Sequence, residues 1–546
     1  MTTLHWVGIA IVGLLGLAAG PVLAQGLAPG FVDPVPVLAA ARKAIGADAL
    51  KCVTVTGTAY DGAVGQARLS EKGVDWPRID SLANYTRTMN WDTHTMKEEF
   101  DRKPGLSPAG WKYGIGWVDG PLQKNLHQTF MLNGTTGWYT DGPASPPVAI
   151  NPDIASIFPV ELYLNPHGFL KAAQMPGANP EAVWRWELKE MGGNGIQTTP
   201  ERMIVVGITV LGKYRVDATI NKENMLQRIH TWVPNPVLGD MNYEHEFTNG
   251  SYVDVGNGIK FPTGWHSHEG WDDNFQGQSV SAGHNAFGGT MKDIKANVCP
   301  DPVAIPEAVR TATFPVRADM TKLADGVYLV GGSSHNSVAV EFRDYIAVVE
   351  APIDEKRALA VIDQVTKTIP NKPIRFLVNT HQHFDHAGGL RTFWHVGATL
   401  ITHWLNWDFY NRDVINYTPR TLAPDMLSRW PPTELSEGYN VEAVRENYVL
   451  TDGTRTMNVH FIPTQHANGM LMVYLPKERM LIEADIVSTL EPLPAMPTPD
   501  MRALRNEVRA LKLDVGQLVP IHGKPMAWAD FDKFAATPGG APAAAE

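Results

Sequence analysis

The sequence predicts a two-domain protein that combines α+β and α/β architecture. We expect a mainly antiparallel β domain at residues 25–310 and an αβ/βα sandwich at residues 311–535. A chain of 546 residues is longer than one hydrophobic core usually serves. Short strand-like segments separated by Asn-Gly, Asp-Gly and proline-rich turns continue to about residue 298, as in antiparallel sheets. Beyond residue 315 strands and helices alternate, which is the order of βαβ units.

The two ends of the chain and the segment between the domains differ from the rest in composition. Residues 1–24 have an apolar run at 7–19 and short side chains before Gln25, so we predict a signal peptide cleaved after Ala24. This leader has no Lys or Arg, which leaves an uncleaved anchor as the alternative. Prolines at 300–315 indicate a linker, and residues 536–546 a disordered tail.

Composition limits the partners and the compartment. A formal charge of −11 without a cluster of basic residues argues against nucleic acid as a partner, so we expect a small-molecule substrate. No second apolar segment predicts a membrane span, and a homodimer is compatible with the chain. The leader predicts a periplasmic or secreted bacterial protein. Cys52 and Cys299 form either one disulfide or two buried thiols.

The first domain begins with a helical pattern within 33–50 and a strand at 52–57. Further strand-like segments include 128–132, 137–140, 202–211, 213–220, 226–233, 243–247 and 251–255. This rhythm vaguely resembles the curved half-barrel sheets of bacterial lipoprotein-carrier proteins. We expect an accessory or dimerising role for this domain, and the alternative is that it carries a lipid or another apolar ligand.

Two histidine groups lie in this first domain, Glu244-His245-Glu246 and His266-Ser267-His268-Glu269. Alternating polar residues on a strand usually form its solvated face. We therefore interpret both groups as surface and not as metal sites.

The second domain shows strands and helices in a regular order. We predict helices at 354–369, 390–395 and 500–511, the first with Leu359, Ile362, Val365 and Ile369 on one face. The predicted strands are 326–330, 337–342, 345–349, 374–378, 398–402, 457–462, 471–475, 480–483 and 518–521. An irregular, aromatic-rich stretch at 403–445 either covers a substrate or only packs.

Four side chains that can bind metal directly follow the strand at 374–378. They are His381, His383, Asp385 and His386. On an extended segment the first three project to one side, and His386 turns with the chain. The spacing therefore predicts that the four groups divide between two adjacent metal ions.

The motif His-x-His-x-Asp-His resembles the signature of the metallo-β-lactamase-fold hydrolases. In that family further ligands follow later strands, as His466, Asp485 and His522 do here. The resemblance implies a first metal on His381, His383 and His466. It implies a second metal on Asp385, His386 and His522, with Asp485 bridging. An aspartate at the bridging position is more similar to the glyoxalase-II and lactonase branches.

The resemblance also implies a zinc-dependent hydrolase with two Zn²⁺ ions per chain, although Fe or Mn would suit the same ligands. A bridging hydroxide would attack a small ester, lactone, thioester or amide, with β-lactams included. Asp385 would be the catalytic residue that holds the hydroxide and passes a proton to the leaving group.

Two alternatives remain at this stage. One is a mononuclear non-haem iron oxygenase on His381, His466 and Asp485. The other is a lipid- or apolar-ligand-binding protein with a vestigial metal site.

Two local features of the second domain are open to interpretation. Where many relatives have Asp-x-Gly, this chain has Glu350-Ala351-Pro352, so Glu350 replaces that aspartate or the turn differs. For His335, we favour a role in a turn over one that faces the site.

Overall fold

The computed structural model describes residues 27–69, 76–103, 124–188, 200–247, 251–270, 285–415, 419–431 and 440–538. The predicted signal peptide and residues 539–546 of the predicted tail lie outside these ranges. Among the helices of the described ranges, none combines the length and apolarity that a membrane crossing requires.

The N-terminal domain is built on one antiparallel sheet of 14 strands, as predicted. In chain order its strands are β1 (Phe31–Val32), β2 (Cys52–Gly62), β3 (Arg78–Asn90), β4 (Thr95–Arg102), β5 (Leu126–Asn133), β6 (Thr136–Thr140), β7 (Val148–Ala149), β8 (Glu181–Leu188), β9 (Pro200–Val210), β10 (Tyr214–Ile220), β11 (Leu226–Asn235) and β12 (Gly239–Glu246), and then β15 (Gly264–Gly270) and β16 (Asn285–Ala296). Strands β13 (Tyr252–Asp254) and β14 (Lys260–Pro262) pair separately. The order across the large sheet is β1-β8-β9-β10-β11-β12-β15-β16-β2-β3-β4-β5-β6-β7.

Three short helices and one disulfide complete this domain and its connection to the next. The helices are α1 (Pro34–Ile45), α2 (Pro166–Ala172) and α3 (Glu307–Arg310). Asp33 caps the start of α1, because its carboxylate accepts a hydrogen bond from Val35 N, and Gly46 caps its end in the left-handed conformation. Cys52 and Cys299 form a disulfide with Cα atoms 5.6 Å apart, which settles the two alternatives left by the sequence.

The C-terminal domain is the predicted sandwich. One sheet has the order β17 (Asp319–Ala324), β18 (Val327–Gly331), β19 (Ser337–Glu341), β20 (Ile346–Val349), β21 (Ile374–Val378), β22 (Thr399–His403) and β23 (Val441–Val444). The other has β24 (Asn447–Thr451), β25 (Thr456–Phe461), β26 (Leu471–Leu475), β27 (Met480–Glu483), β28 (Gln517–Pro520) and β29 (Met526–Ala527). The helices are α4 (Glu355–Thr368), α5 (Phe384–Ala387), α6 (Leu390–His395), α7 (Trp404–Phe409), α8 (Met426–Arg429), α9 (Pro499–Ala510) and α10 (Trp528–Ala535).

Two predictions for this domain are wrong in detail. On α4 the buried apolar residues are Ala358, Val361 and Val365, whereas Leu359 is exposed. Positions 358, 361 and 365 share one face of a 3.6-residue helix, and position 359 is turned about 100° from it. The stretch at 403–445 is not irregular throughout, because it contains α7, a π-helical turn at Tyr410–Ile415, α8 and β23.

The apolar core passes from one domain into the other. One cluster lies between the two sheets of the sandwich, with Val340 and Val473 on opposite sides. A second cluster joins buried residues of the N-terminal domain, such as Leu82 and Phe287, to Val361 of α4 and Phe393 of α6. The N-terminal sheet is therefore packed against the outer face of the sandwich and not merely tethered to it.

Candidate metal centre

The His-x-His-x-Asp-His motif lies in a short loop and the first turn of α5. Strand β21 ends at Val378, so His381 and His383 precede the helix, while Asp385 and His386 lie inside it. All four side chains are buried. The amide of Asn379 fastens the loop by donating a hydrogen bond to the His386 carbonyl oxygen at 3.0 Å.

The other predicted ligands converge on this loop because the strands that precede them run in the same direction and end at the same edge of their sheet. His466 follows β25, Asp485 follows β27 and His522 follows β28. The side chains meet in two groups, in each of which the candidate ligand atoms lie within 4.8 Å of one another. The groups are His381, His383, His466 and Asp485, and His335, Asp385, His386 and His522.

Asp485 joins the two groups through its two carboxylate oxygens. Its Oδ2 lies 3.0 Å from His466 Nε2 and 3.4 Å from His381 Nε2. Its Oδ1 lies 2.9 Å from His386 Nε2 and 2.7 Å from His522 Nε2. One oxygen towards each group is the arrangement expected of a carboxylate that bridges two ions.

The donor set fits metal ions better than it fits a hydrogen-bond network. The Nε2 atoms of His381 and His466 lie 3.3 Å apart, as do those of His386 and His522. Two nitrogens bound to one tetrahedral zinc at about 2.0–2.1 Å would lie about 3.3 Å apart. In addition, His383 Nδ1 is buried and has no hydrogen-bond partner among the described residues. A buried polar atom of this kind is expected at a ligand position.

Burial and neighbouring charges set the protonation of these side chains. Burial and the nearby imidazole of His386 lower the pKa of His381 to about 4. Burial also holds the pKa of His383 well below its usual value. Burial alone would raise the pKa of Asp485, but the imidazoles of His386 and His522 hold it well below its ordinary value. Neutral imidazoles and ionised carboxylates are the forms that bind metal.

The environment of His386 shows that the second group favours a positive charge. Burial alone would lower its pKa, yet the carboxylates of Asp485, Asp385 and Glu350 raise it well above the usual value. Several buried carboxylates around one point are stable only with a compensating cation.

Glu350 contacts His386 of the second group at the ring nitrogen that does not face Asp485. Its Oε2 lies 2.8 Å from His386 Nδ1, and its Oε1 accepts a hydrogen bond from Thr380 N at 2.6 Å. The residue is fully buried and has a φ of 71°. The sequence left open whether Glu350 replaces the aspartate of the family or the turn differs. The geometry matches the first interpretation, in which the carboxylate orients a ligand imidazole.

His335 faces the site, so the preference for a role in a turn is wrong. Its Nε2 lies 2.9 Å from Asp385 Oδ2, and its ring centroid lies 4.2 Å from that of His522. His335 precedes β19, which is antiparallel to β20 and therefore starts at the edge where β20 and β21 end. The direction of β19 relative to β20 and β21 could therefore have predicted that His335 lies at the candidate metal centre.

The N-terminal domain also reaches the site, through residues 63–68. Gln66 Nε2 donates a hydrogen bond to Asp385 Oδ1 at 2.7 Å. The Ala67 carbonyl oxygen lies 3.2 Å from His383 Nε2 and accepts a hydrogen bond from Gln382 Nε2 at 3.0 Å. No sequence signal pointed to these residues, because the contacts span more than 300 positions.

The expectation of a solvated face for the first-domain histidine groups is wrong in part. Glu244 and Glu246 are buried, and Arg228 lies 3.1 and 3.0 Å from their carboxylate oxygens. Glu246, His266 and His268 come close enough together for a metal ion. An arginine on the same carboxylate instead gives this group the character of a buried ionic network.

Comparison with known proteins agrees with this geometry. Residues 330–522 match the family model of the metallo-beta-lactamase superfamily. This part of the chain therefore has the fold of the metallo-β-lactamase superfamily.

Each individual relative matches less than half of the chain. A linear primary-alkylsulfatase from Pseudomonas sp. is 35% identical over 71 residues, which are 13% of this chain and 10% of that protein. A metallo-beta-lactamase from Pontibacter korlensis is 15% identical and covers 40% of this chain and 96% of its own, with a TM-score of 0.31. Rubredoxin oxygen:oxidoreductase from Desulfovibrio gigas is 19% identical and covers 40% and 59%, with a TM-score of 0.30. The likeness of the N-terminal domain to lipoprotein carriers stays a prediction.

Proposed function

We propose that the protein is an exported hydrolase that uses two metal ions, with zinc as the first candidate, to cleave a small ester, lactone, thioester or amide. The observation that carries the proposal is Asp485, which directs one oxygen to each of two histidine groups. The disulfide between Cys52 and Cys299 supports export, because such bonds persist in oxidising compartments.

His381, His383 and His466 would hold one ion, Asp385, His386 and His522 the other, and Asp485 both. Bound there, the ions would activate water at neutral pH and polarise the substrate oxygen.

The protein's own groups orient the reaction. The carboxylate of Asp385 is fixed at both oxygens, by Gln66 at Oδ1 and by His335 at Oδ2. A carboxylate fixed in this way can hold the attacking water by a hydrogen bond and pass its proton on. In hydrolysis of an ester, water oxygen bonds to the acyl carbon, the bond to the alcohol oxygen breaks, and the alcohol takes the proton.

The alkylsulfatase relative adds sulfate esters to the candidate substrates, since its matched stretch is 35% identical to this chain. The iron oxygenase needs only His381, His466 and Asp485. A single iron on these three residues would not use the second group, in which His386, His522 and Asp385 come together. We therefore favour hydrolysis with two metal ions.

Metal content and hydrolysis tested together decide the proposal. Protein purified without chelator should contain about two zinc ions per chain by mass spectrometry of the metals. Hydrolysis of a panel of carboxylic esters, lactones, thioesters, β-lactams and alkyl sulfates should disappear on chelation and return with zinc. His383→Ala should lose metal and activity, whereas His395→Ala, in the same domain at the end of α6, should lose neither. One iron per chain and no hydrolysis would contradict the proposal.

A further inference from the structure

A cavity of about 250 Å³ lies between the N-terminal sheet and the metal centre. At one end it is lined by His335, Phe384 and Asp385 of the C-terminal domain. At the other it is lined by residues of several strands of the sheet, including Tyr243 of β12 and Phe287 of β16. Any group in the cavity therefore contacts both domains and lies beside Asp385 of the candidate metal centre.

The walls of the cavity are mainly apolar. Its apolar lining includes Val64, Ile157, Val233, Met241, Phe287 and Phe384. An apolar cavity of about 150 Å³ is large enough for benzene, with its six non-hydrogen atoms. By the same measure this cavity holds roughly ten non-hydrogen atoms.

Three of the charged side chains in the lining, Asp61, Arg87 and Glu161, are paired inside the N-terminal domain. Asp61 pairs with Arg102 at 2.6 Å. Arg87 pairs with Glu161 at 3.0 Å, deep in the N-terminal domain. Since these ion pairs are buried and already formed, this part of the wall does not require a charged ligand.

Phe384 connects the cavity to the catalytic motif. It lies between His383 and Asp385, and its ring meets that of Trp76 edge-on with centroids 5.7 Å apart. Gly65 approaches the same ring so closely that a Cβ atom there would lie 2.4 Å from Phe384 Cγ. The wall beside the metal centre is thus formed by tight contact between the two domains.

We propose that this cavity binds the uncharged apolar part of the substrate, an alkyl, acyl or aryl group of roughly ten non-hydrogen atoms. The cleavable bond then lies at the metal centre, next to Asp385. This inference rests on the proposed hydrolase function for its catalytic part, but the binding of an apolar group does not depend on it.

Direct binding tests the cavity without any turnover. Isothermal titration calorimetry of the full-length metal-loaded protein with 1-nonanol, which has ten non-hydrogen atoms, should show one saturable site. Met241→Trp should weaken binding at least tenfold by filling the cavity from β12. Val233→Phe on β11 is the second filling variant, in case the first does not fold. Met320→Trp, a partly buried position outside the cavity, should bind as the wild type does.

Chain-length preference tests the same inference during turnover. In a series of 4-nitrophenyl esters, or of alkyl sulfates if these are cleaved instead, kcat/KM should rise about three- to fourfold per methylene until the cavity is full. The filling variants should shift the optimum to shorter chains, and Met241→Ala should shift it to longer ones.

The outcomes separate the two proposals. Nonanol binding that the filling variants abolish supports the cavity even if no ester is hydrolysed. Hydrolysis without nonanol binding, or with binding that neither filling variant weakens, overturns the cavity and leaves the hydrolase. If the protein neither binds nonanol nor hydrolyses any substrate, the cavity proposal and the hydrolase proposal are both overturned.

Discussion

The side-chain amide of Gln66 donates a hydrogen bond to Asp385 Oδ1 at 2.7 Å, although the two residues belong to different domains. The opposite oxygen of that carboxylate lies 2.9 Å from His335 Nε2. A residue of the β domain therefore contacts the candidate metal centre directly.

Replacing Gln66 should slow the reaction without emptying the site. In Gln66→Ala the Asp385 carboxylate loses one of its two fixed contacts, and we expect kcat to fall about 10- to 100-fold. Gln66→Glu should be worse, because it places a second carboxylate against the first. Steady-state kinetics and metal content measure both effects, with Gln364→Ala on α4 as the control. Unchanged kcat in Gln66→Glu would show that the contact has no catalytic role.

Replacing Asp485 should weaken both halves of the centre at once. In Asp485→Asn the first group keeps no carboxylate and the second keeps only that of Asp385, so we expect fewer than two ions per chain and a fall in kcat/KM of about 10³ or more. Asp514→Asn, an exposed aspartate, is the matched control. If two ions and full activity survive in Asp485→Asn, the bridging assignment is wrong.

Removing Glu350 should act on the second group alone. Glu350→Ala takes away the acceptor for His386 Nδ1, and outer ligand partners of this kind are worth about 10- to 100-fold in metal affinity. A competition titration with a chelating dye should resolve one weakened and one unaffected ion. Equal weakening of both ions would contradict the division of the ligands into two groups.

His167 should make folding sensitive to acid at a place far from the metal centre. Burial lowers the pKa of its imidazole to about 4, so the folded state favours the neutral ring, while the unfolded chain binds a proton below about pH 6.5. Stability should therefore fall as the pH drops from 6.5 towards 4, by up to about 3 kcal/mol. His167→Gln keeps a donor for the Lys260 carbonyl but does not titrate.

Urea unfolding of both proteins between pH 7 and 4.5 measures this effect. The wild type should lose stability more steeply than His167→Gln. Parallel curves would show that the buried imidazole does not contribute.

Local spacing explains why so much of the second domain could be predicted. The interval of six residues that holds His381 to His386 needs no knowledge of tertiary structure, and β21, β26, β27 and α6 have the predicted bounds. Gln66 could not be predicted, since it lies 319 positions from its partner. Strand β4 was also not identified, because its buried positions include Glu98 and Arg102, whose charges are neutralised only by residues of other strands.

The continuous apolar cluster between the domains affects how the chain can be divided. A protease that cut the segment at 300–315 would separate the sequence into two pieces but not the molecule, because Val361 and Phe393 would still be covered by the β domain. A C-terminal fragment expressed alone would present this face to water, together with a catalytic loop that lacks Gln66. The two domains thus form one structural unit, and a C-terminal domain moved onto another partner should aggregate because its apolar face would be exposed.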